Sequence, residues 1–147
     1  MLEKRYLRSI RLLSECMQLF EKGSSKRVRA LGFTDSQFDI IATLGNTPGM
    51  TCKDLGDKTL ITKGTLTGVL DRLEAKGLIQ RERGEDRRQL WVKLTPAGEE
   101  SFANAFPVVV TGGRQVFQDY QTEDFEALEA QLQKLKTTLA KSLEQAP

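Results

Sequence analysis

The sequence predicts a mainly α-helical fold with one small β-hairpin. Three observations carry this expectation. Apolar residues recur at spacings of three and four along most of the chain, the period of an amphipathic helix. A period-two pattern is confined to Leu90-Trp91-Val92-Lys93-Leu94, which follows the short run Leu78–Arg83 and a polar tip. Thr34, Thr51, Thr62 and Thr95 stand before helical runs as N-cap residues.

The first helix is expected from Leu2 to Phe20 or slightly beyond. Tyr6, Ile10, Leu13, Met17 and Phe20 mark one stripe, and Leu7, Leu12, Cys16 and Leu19 widen it. So wide a stripe implies burial on more than one side. Gly23-Ser24-Ser25 is read as its weak point, ahead of the basic run Lys26-Arg27-Val28-Arg29. Thr34-Asp35-Ser36-Gln37 is a capping box, with Phe33 and Phe38 as its hydrophobic staple. That helix buries Phe38, Ile41, Ala42 and Leu44 and stops at Gly45-Asn46-Thr47-Pro48-Gly49. A short third helix starts at Thr51, with Asp54 at N3, and runs to about Lys58.

The stretch from Thr62 to Gly98 is the most informative. Leu66, Val69, Leu70 and Leu73 form one apolar helical face, and Gly77 ends the helix. The opposite face carries Lys63, Gly64, Thr65, Thr67, Gly68, Asp71 and Arg72. Such small, hydroxylic and basic side chains let a helix enter a DNA major groove about 12 Å wide. Two short helices joined by a brief turn form a helix-turn-helix, the first bracing and the second reading. The plain alternative for the pair alone is a generic αα-hairpin. The hairpin that follows has the tip Glu85-Asp86-Arg87-Arg88-Gln89, whose adjacent arginines have no structural need. Thr95 and Pro96 begin another helix as N-cap and N1.

These residues resemble the MarR family of transcriptional regulators. Asp86-Arg87-Arg88, a hydrophobic strand and Leu94-Thr95-Pro96-Ala97-Gly98 match its wing signature, as does the preceding Leu73-Glu74-Ala75-Lys76-Gly77-Leu78-Ile79. The resemblance implies a dimeric winged-helix protein on a pseudo-palindromic operator, usually a repressor relieved by a small ligand or by oxidation. It also implies that Arg88 enters the minor groove and that Asp86 orients it. Some family members sense peroxide through a cysteine in the first helix. Aligned on Thr34, that position falls near Ile10, and Ser24 and Asp35 stand where the accompanying tyrosines would be. Cys16 therefore reads as a small hydrophobe on an apolar face, with redox sensing as the alternative. Cys52, near a helix N-terminus, reads as a surface or packing residue, with a thiol pKa lowered by that terminus as the alternative.

The last helix is expected near Thr122, with Glu123 and Asp124 at the positive end of its dipole. Phe125, Leu128, Leu132, Leu135, Leu139 and Leu143 form a seam that wants a partner helix, within the chain or from a second subunit. Paired reading helices require two-fold symmetry, which favours the second subunit. Between wing and tail, Pro107 and Gly112-Gly113 predict a break or kink in the helix that starts at Pro96.

Composition sets the outer bounds. The 147 residues suit a single domain, and the net charge of +2 hides an uneven distribution. Residues 1–30 carry eight basic and three acidic side chains, residues 50–95 ten and seven, and residues 96–147 four and eight. The reading region is basic and the tail acidic, the segregation expected of a DNA-binding footprint, with chance segregation on a solvated surface as the alternative. No apolar run approaches the roughly 20 residues that span a bilayer, so cytoplasmic residence is expected. Two cysteines are too few for a disulfide framework. There is no histidine, phosphate loop or metal-spaced cluster, so neither enzyme activity nor a metal or cofactor is expected.

The sequence thus predicts a single domain over 1–147. Residues 34–98 form a winged helix-turn-helix DNA-binding region, and 1–30 and 100–147 supply dimerisation helices. Thr62, Lys63, Gly64, Thr65, Thr67, Gly68, Arg72, Arg87 and Arg88 are the expected DNA-binding residues. Phe20, Phe38 and Phe106 are candidates for an aromatic or lipophilic effector pocket. A homodimeric repressor is expected, with a redox regulator or a winged-helix protein-interaction module as alternatives.

Overall fold

A computed structural model describes residues 2–145. Met1, Ala146 and Pro147, which the expected terminal segments include, lie outside the described residues. After a short 3-10 turn at Leu2–Lys4, the elements are α1 (Arg5–Ala30), α2 (Asp35–Leu44), β1 (Met50–Thr51), α3 (Cys52–Thr59), α4 (Lys63–Ala75), β2 (Ile79–Arg83), β3 (Leu90–Leu94), α5 (Pro96–Val116) and α6 (Thr122–Glu144). The fold is mainly helical with a small antiparallel sheet, as the periodicities predict.

The sheet has three strands in the order β1-β3-β2. Ile79 pairs with Leu94 and Arg83 with Leu90, while Met50 and Thr51 pair with Val92 and Trp91. Strand β1 is absent from the sequence reading, because two residues are too few to show an alternation. Its extended form comes from the β3 edge that it covers.

The chain divides into two compact units, Met1–Gly112 and Gly113–Pro147. The first holds the core: Ile40, Ile41, Leu44, Leu55, Leu73 and Val92 are almost wholly buried, with Leu66, Val69, Leu70 and Ile79 beside them. The Thr34 hydroxyl accepts from the Gln37 N–H at 3.2 Å, and the Gln37 side chain accepts from the Thr34 N–H at 3.2 Å, completing the capping box. Phe33 and Phe38 close the staple with ring centroids 6.5 Å apart. The Thr95 hydroxyl caps α5 by accepting from the Gly98 N–H at 3.1 Å.

Three expectations are corrected. Helix α1 runs through Gly23-Ser24-Ser25 to Ala30. A glycine costs only about 1 kcal/mol relative to alanine in a helix, and buried Val28 anchors the turn beyond it. Nor is α1 buried on more than one side. Tyr6, Leu7, Leu12, Met17 and Leu19 are exposed, and so is Cys16, because Val28 is the helix's one buried residue among those described. Finally, the break expected in α5 is absent, because one helix spans Pro96–Val116 through Pro107 and Gly112-Gly113. Phe102, Ala105 and Val109 pack on the core on both sides of Pro107 and offset the hydrogen bond it lacks. Gly112 is a contact point, since a Cβ there would strike the Arg27 side chain.

The second unit is built around the turn into α6. Phe117, Tyr120 and Phe125 form an aromatic cluster with centroids 5.1–5.5 Å apart. The Asp124 carboxylate accepts the Gln121 N–H at 2.8 Å, which starts α6. None of the described residues of α6 is buried, and Leu128, Leu132, Leu139 and Leu143 of its seam are exposed.

Candidate nucleic-acid interface

Helix α4 has two unlike faces. Leu66, Val69, Leu70 and Leu73 are buried, while Lys63, Gly64, Thr65, Thr67, Gly68, Asp71 and Arg72 are all exposed. The helix stops at Gly77 (φ 75°), where the Leu78 N–H bonds the Leu73 carbonyl at 3.0 Å. Thr62 is the N-cap by position, but its hydroxyl meets the Thr65 hydroxyl at 3.2 Å instead of a backbone N–H. The two hydroxyls are thereby paired at the start of the exposed face.

Helix α3 braces this arrangement. The Thr51 hydroxyl accepts from the Asp54 N–H at 3.1 Å, and Leu55 is wholly buried. Leu60 then makes the turn into α4 in the left-handed conformation (φ 60°), with 87% of its surface exposed.

The hairpin tip is a built turn. The Asp86 carboxylate accepts the Arg88 backbone N–H at 3.0 Å, and the Gln89 N–H bonds the Asp86 carbonyl at 2.9 Å. Arg83 donates to the Arg87 carbonyl at 2.7 Å, and Lys93 pairs with Glu82 across the strands at 2.9 Å. These bonds engage the tip backbone and leave the Arg87 and Arg88 side chains exposed. Asp86 therefore acts on the main chain of Arg88.

A cavity of about 640 Å³ lies between α3, α4 and the wing, and Lys63, Thr67, Arg88 and Gln89 are among its lining residues. Residues from both halves of the expected reading surface thus face one concavity. Gly64, Thr65, Gly68, Arg72 and Arg87 are exposed outside its lining.

Sequence reasoning missed Arg81. It donates to Asp71 at 2.7 Å and to Glu74 at 2.6 Å, joining β2 to α4. Both acids, the Asp71 hydrogen bond first, hold its guanidinium more firmly charged than usual. The available signal was Asp71 and Glu74 at i and i+3, with an arginine shortly after the glycine stop.

Cys52 opens α3 and is half-buried. Burial pushes its thiol pKa up, partly countered by the Arg81 charge, which fits a packing residue and not a lowered thiol. Phe38 packs in the core against Phe33, whereas Phe106 stacks on Phe102 with centroids 5.0 Å apart. Phe20 is exposed on α1. None of the three lines the cavity beside the wing. Among the described residues, no group of three or more His, Cys, Asp or Glu could hold a metal ion. No described helix is long and apolar enough to cross a membrane.

The sequence model of the MarR family matches residues 33–90, from the α2 staple to the start of β3. Across this stretch the chain is similar to the MarR family of transcriptional regulators. It is 29% identical over 102 residues to the homoprotocatechuate degradative operon repressor of Escherichia coli, covering 69% of each chain. Its fold is similar to AbsC, a MarR family transcriptional regulator from Streptomyces coelicolor, with a TM-score of 0.83 and 27% identity over 92% of this chain and 94% of that one. It is also similar to NadR, solved in complex with 4-hydroxyphenylacetate, with a TM-score of 0.71 and 26% identity over 84% and 88% of the two chains.

Proposed function

We propose that this chain is a sequence-specific double-stranded DNA-binding transcriptional regulator of the MarR family, a homodimeric cytoplasmic repressor released by a small aromatic or lipophilic ligand. The observation that carries the reading is the shared concavity of Lys63 and Thr67 on α4 with Arg88 on the wing. In this reading the exposed face of α4 enters the major groove, where Lys63, Thr65 and Thr67 contact bases or nearby phosphates. Thr62 lies at the helix N-terminus, Gly64 and Gly68 allow close approach, and Arg72 meets the backbone. Arg88, with Arg87 beside it, reaches the adjacent minor groove, where narrow A·T-rich sequence concentrates negative potential. No catalytic role is assigned to any residue.

The exposed apolar faces of α1 and α6 support the dimer, because contiguous apolar helix surface of this kind marks an interaction site. A two-fold dimer on a pseudo-palindromic operator covers them and sets the half-site spacing. The aromatic-ligand reading is supported by NadR, which was solved with 4-hydroxyphenylacetate, and by the E. coli repressor, whose name places it over an aromatic catabolic operon. For this chain, Phe20, Phe38 and Phe106 remain the candidate lining.

The test is fluorescence anisotropy with duplex from the protein's own upstream intergenic region, against scrambled duplex, over a salt series. Specific binding with a steep salt slope and two chains per site is the expected result. Absence of binding at low salt would overturn the reading in favour of a protein-interaction module.

A further inference from the structure

Arg81 stands apart from the proposed DNA contacts. It lies in β2, not on the exposed face of α4 and not at the wing tip, and it bonds that strand to α4. Its side chain retains only 23% of its exposure, and its Nη2 and Nε atoms bond Asp71 at 2.7 Å and Glu74 at 2.6 Å. The two acids lie one turn apart on α4, and Arg81 lies mid-strand in β2, opposite Val92 of β3. A guanidinium engaged by two carboxylates through two of its nitrogens is fixed in orientation as well as position, which a lysine ammonium would not be.

The wing has few other ties to the recognition helix. Its outer half is held by its own contacts: Lys93 with Glu82, Arg83 with the Arg87 carbonyl, and Asp86 with the Arg88 N–H. Ile79 anchors the base of β2 in the core, whereas the residues from Glu82 to Leu90 are exposed. Arg81 lies where the strand leaves the core, opposite buried Val92, and ties β2 to α4 at that point.

We propose that Arg81 is a positioning residue that sets the angle between the wing and the recognition helix, so that both engage adjacent grooves together. It rests on the DNA-binding reading above, but it makes a separate claim. Arg81 itself does not contact DNA; it acts through Asp71, Glu74 and the hairpin.

The test uses the full-length protein in two measurements. In the first, operator affinity is compared for Arg81→Gln, for Asp71→Asn with Glu74→Gln, and for each combined with Arg88→Ala. The Arg81 change and the paired acid change are each expected to weaken specific binding about tenfold. Neither should weaken it further once Arg88 is alanine, since a misplaced wing has no minor-groove contact left to lose. If Arg81 were a phosphate contact, removing its acids would leave affinity unchanged or raise it, and the Arg81 and Arg88 losses would multiply. Either outcome overturns the proposal.

The second measurement needs no DNA. Spin labels at Ala75→Cys and Glu85→Cys, with Cys16→Ser and Cys52→Ser, report the helix-to-tip distance. Both clasp variants should broaden that distribution, and an unchanged one overturns the proposal. If the duplex shows no specific binding at all, the DNA reading fails while the distance measurement still decides the clasp.

Discussion

The carboxylate of Asp86 accepts the backbone N–H of Arg88 at 3.0 Å. A short polar side chain that bonds the main chain two residues on makes a local turn, which fixes where the next side chain leaves the backbone. The arginine is held at its root while its guanidinium stays in solvent. Replacing Arg88 by alanine is expected to weaken operator binding by about 1–3 kcal/mol and to flatten the salt dependence. Anisotropy titrations at moderate salt check this, and an unchanged affinity removes the wing from the mechanism.

The proposed dimer depends on the apolar seam of α6, where Leu128 and Leu132 are exposed in the single chain. Aspartate at both positions is expected to yield monomers by sedimentation and to lower operator affinity by about 100-fold, because the second half-site contact is no longer intramolecular. A monomer that keeps full affinity would sink the two-fold model.

Leu60 adopts a left-handed backbone conformation at φ 60°. For most L-residues this costs about 1–2 kcal/mol, and at 87% exposure Leu60 buries little surface in return. Asparagine tolerates the conformation, so Leu60→Asn is expected to stabilise the fold by about 1 kcal/mol in denaturant unfolding. A loss of stability would show that the leucine makes a compensating contact.

Gly98 lies in the first turn of α5 against the Leu78 carbonyl, which a Cβ would strike. The backbone cannot move away freely, because the Thr95 hydroxyl donates to the Gly77 carbonyl at 2.6 Å and the Thr95 N–H to Leu78 at 3.0 Å. Gly98→Ala is therefore expected to destabilise the protein by about 2 kcal/mol, read as a lower urea midpoint with an unchanged slope.

The two cysteines differ in their surroundings. Cys16 is exposed, while burial raises the Cys52 thiol pKa. The reactive thiolate of Cys52 is scarcer at neutral pH than in a free thiol, and its fraction grows as pH rises toward that raised pKa. Iodoacetamide should label Cys52 more slowly than a free thiol at pH 7 and faster as pH rises, as peptide mass spectrometry would show. A free-thiol rate at pH 7 would contradict the burial of Cys52.

Most of the fold was legible because its signals are local. A capping box, a glycine stop and a four-residue apolar stripe each act within a turn or two, so Thr34, Gly77 and the run Leu66–Leu73 appear in the structure as the sequence predicts. The exposed face of α4 and the arginine tip follow from the same stripe and hairpin, since the residues left over must face out. Tertiary structure decided whatever depends on contacts between distant segments. Met50-Thr51 becomes a strand through Val92 and Trp91, the helix survives Pro107 through packing on both sides, and the Cys52 thiol is raised by burial that outweighs the Arg81 charge. Arg81 is the clearest case. The pair Asp71 and Glu74, three residues apart, hints at a basic partner after the glycine stop, but only the packing of β2 beside α4 selects Arg81 among the arginines of the wing.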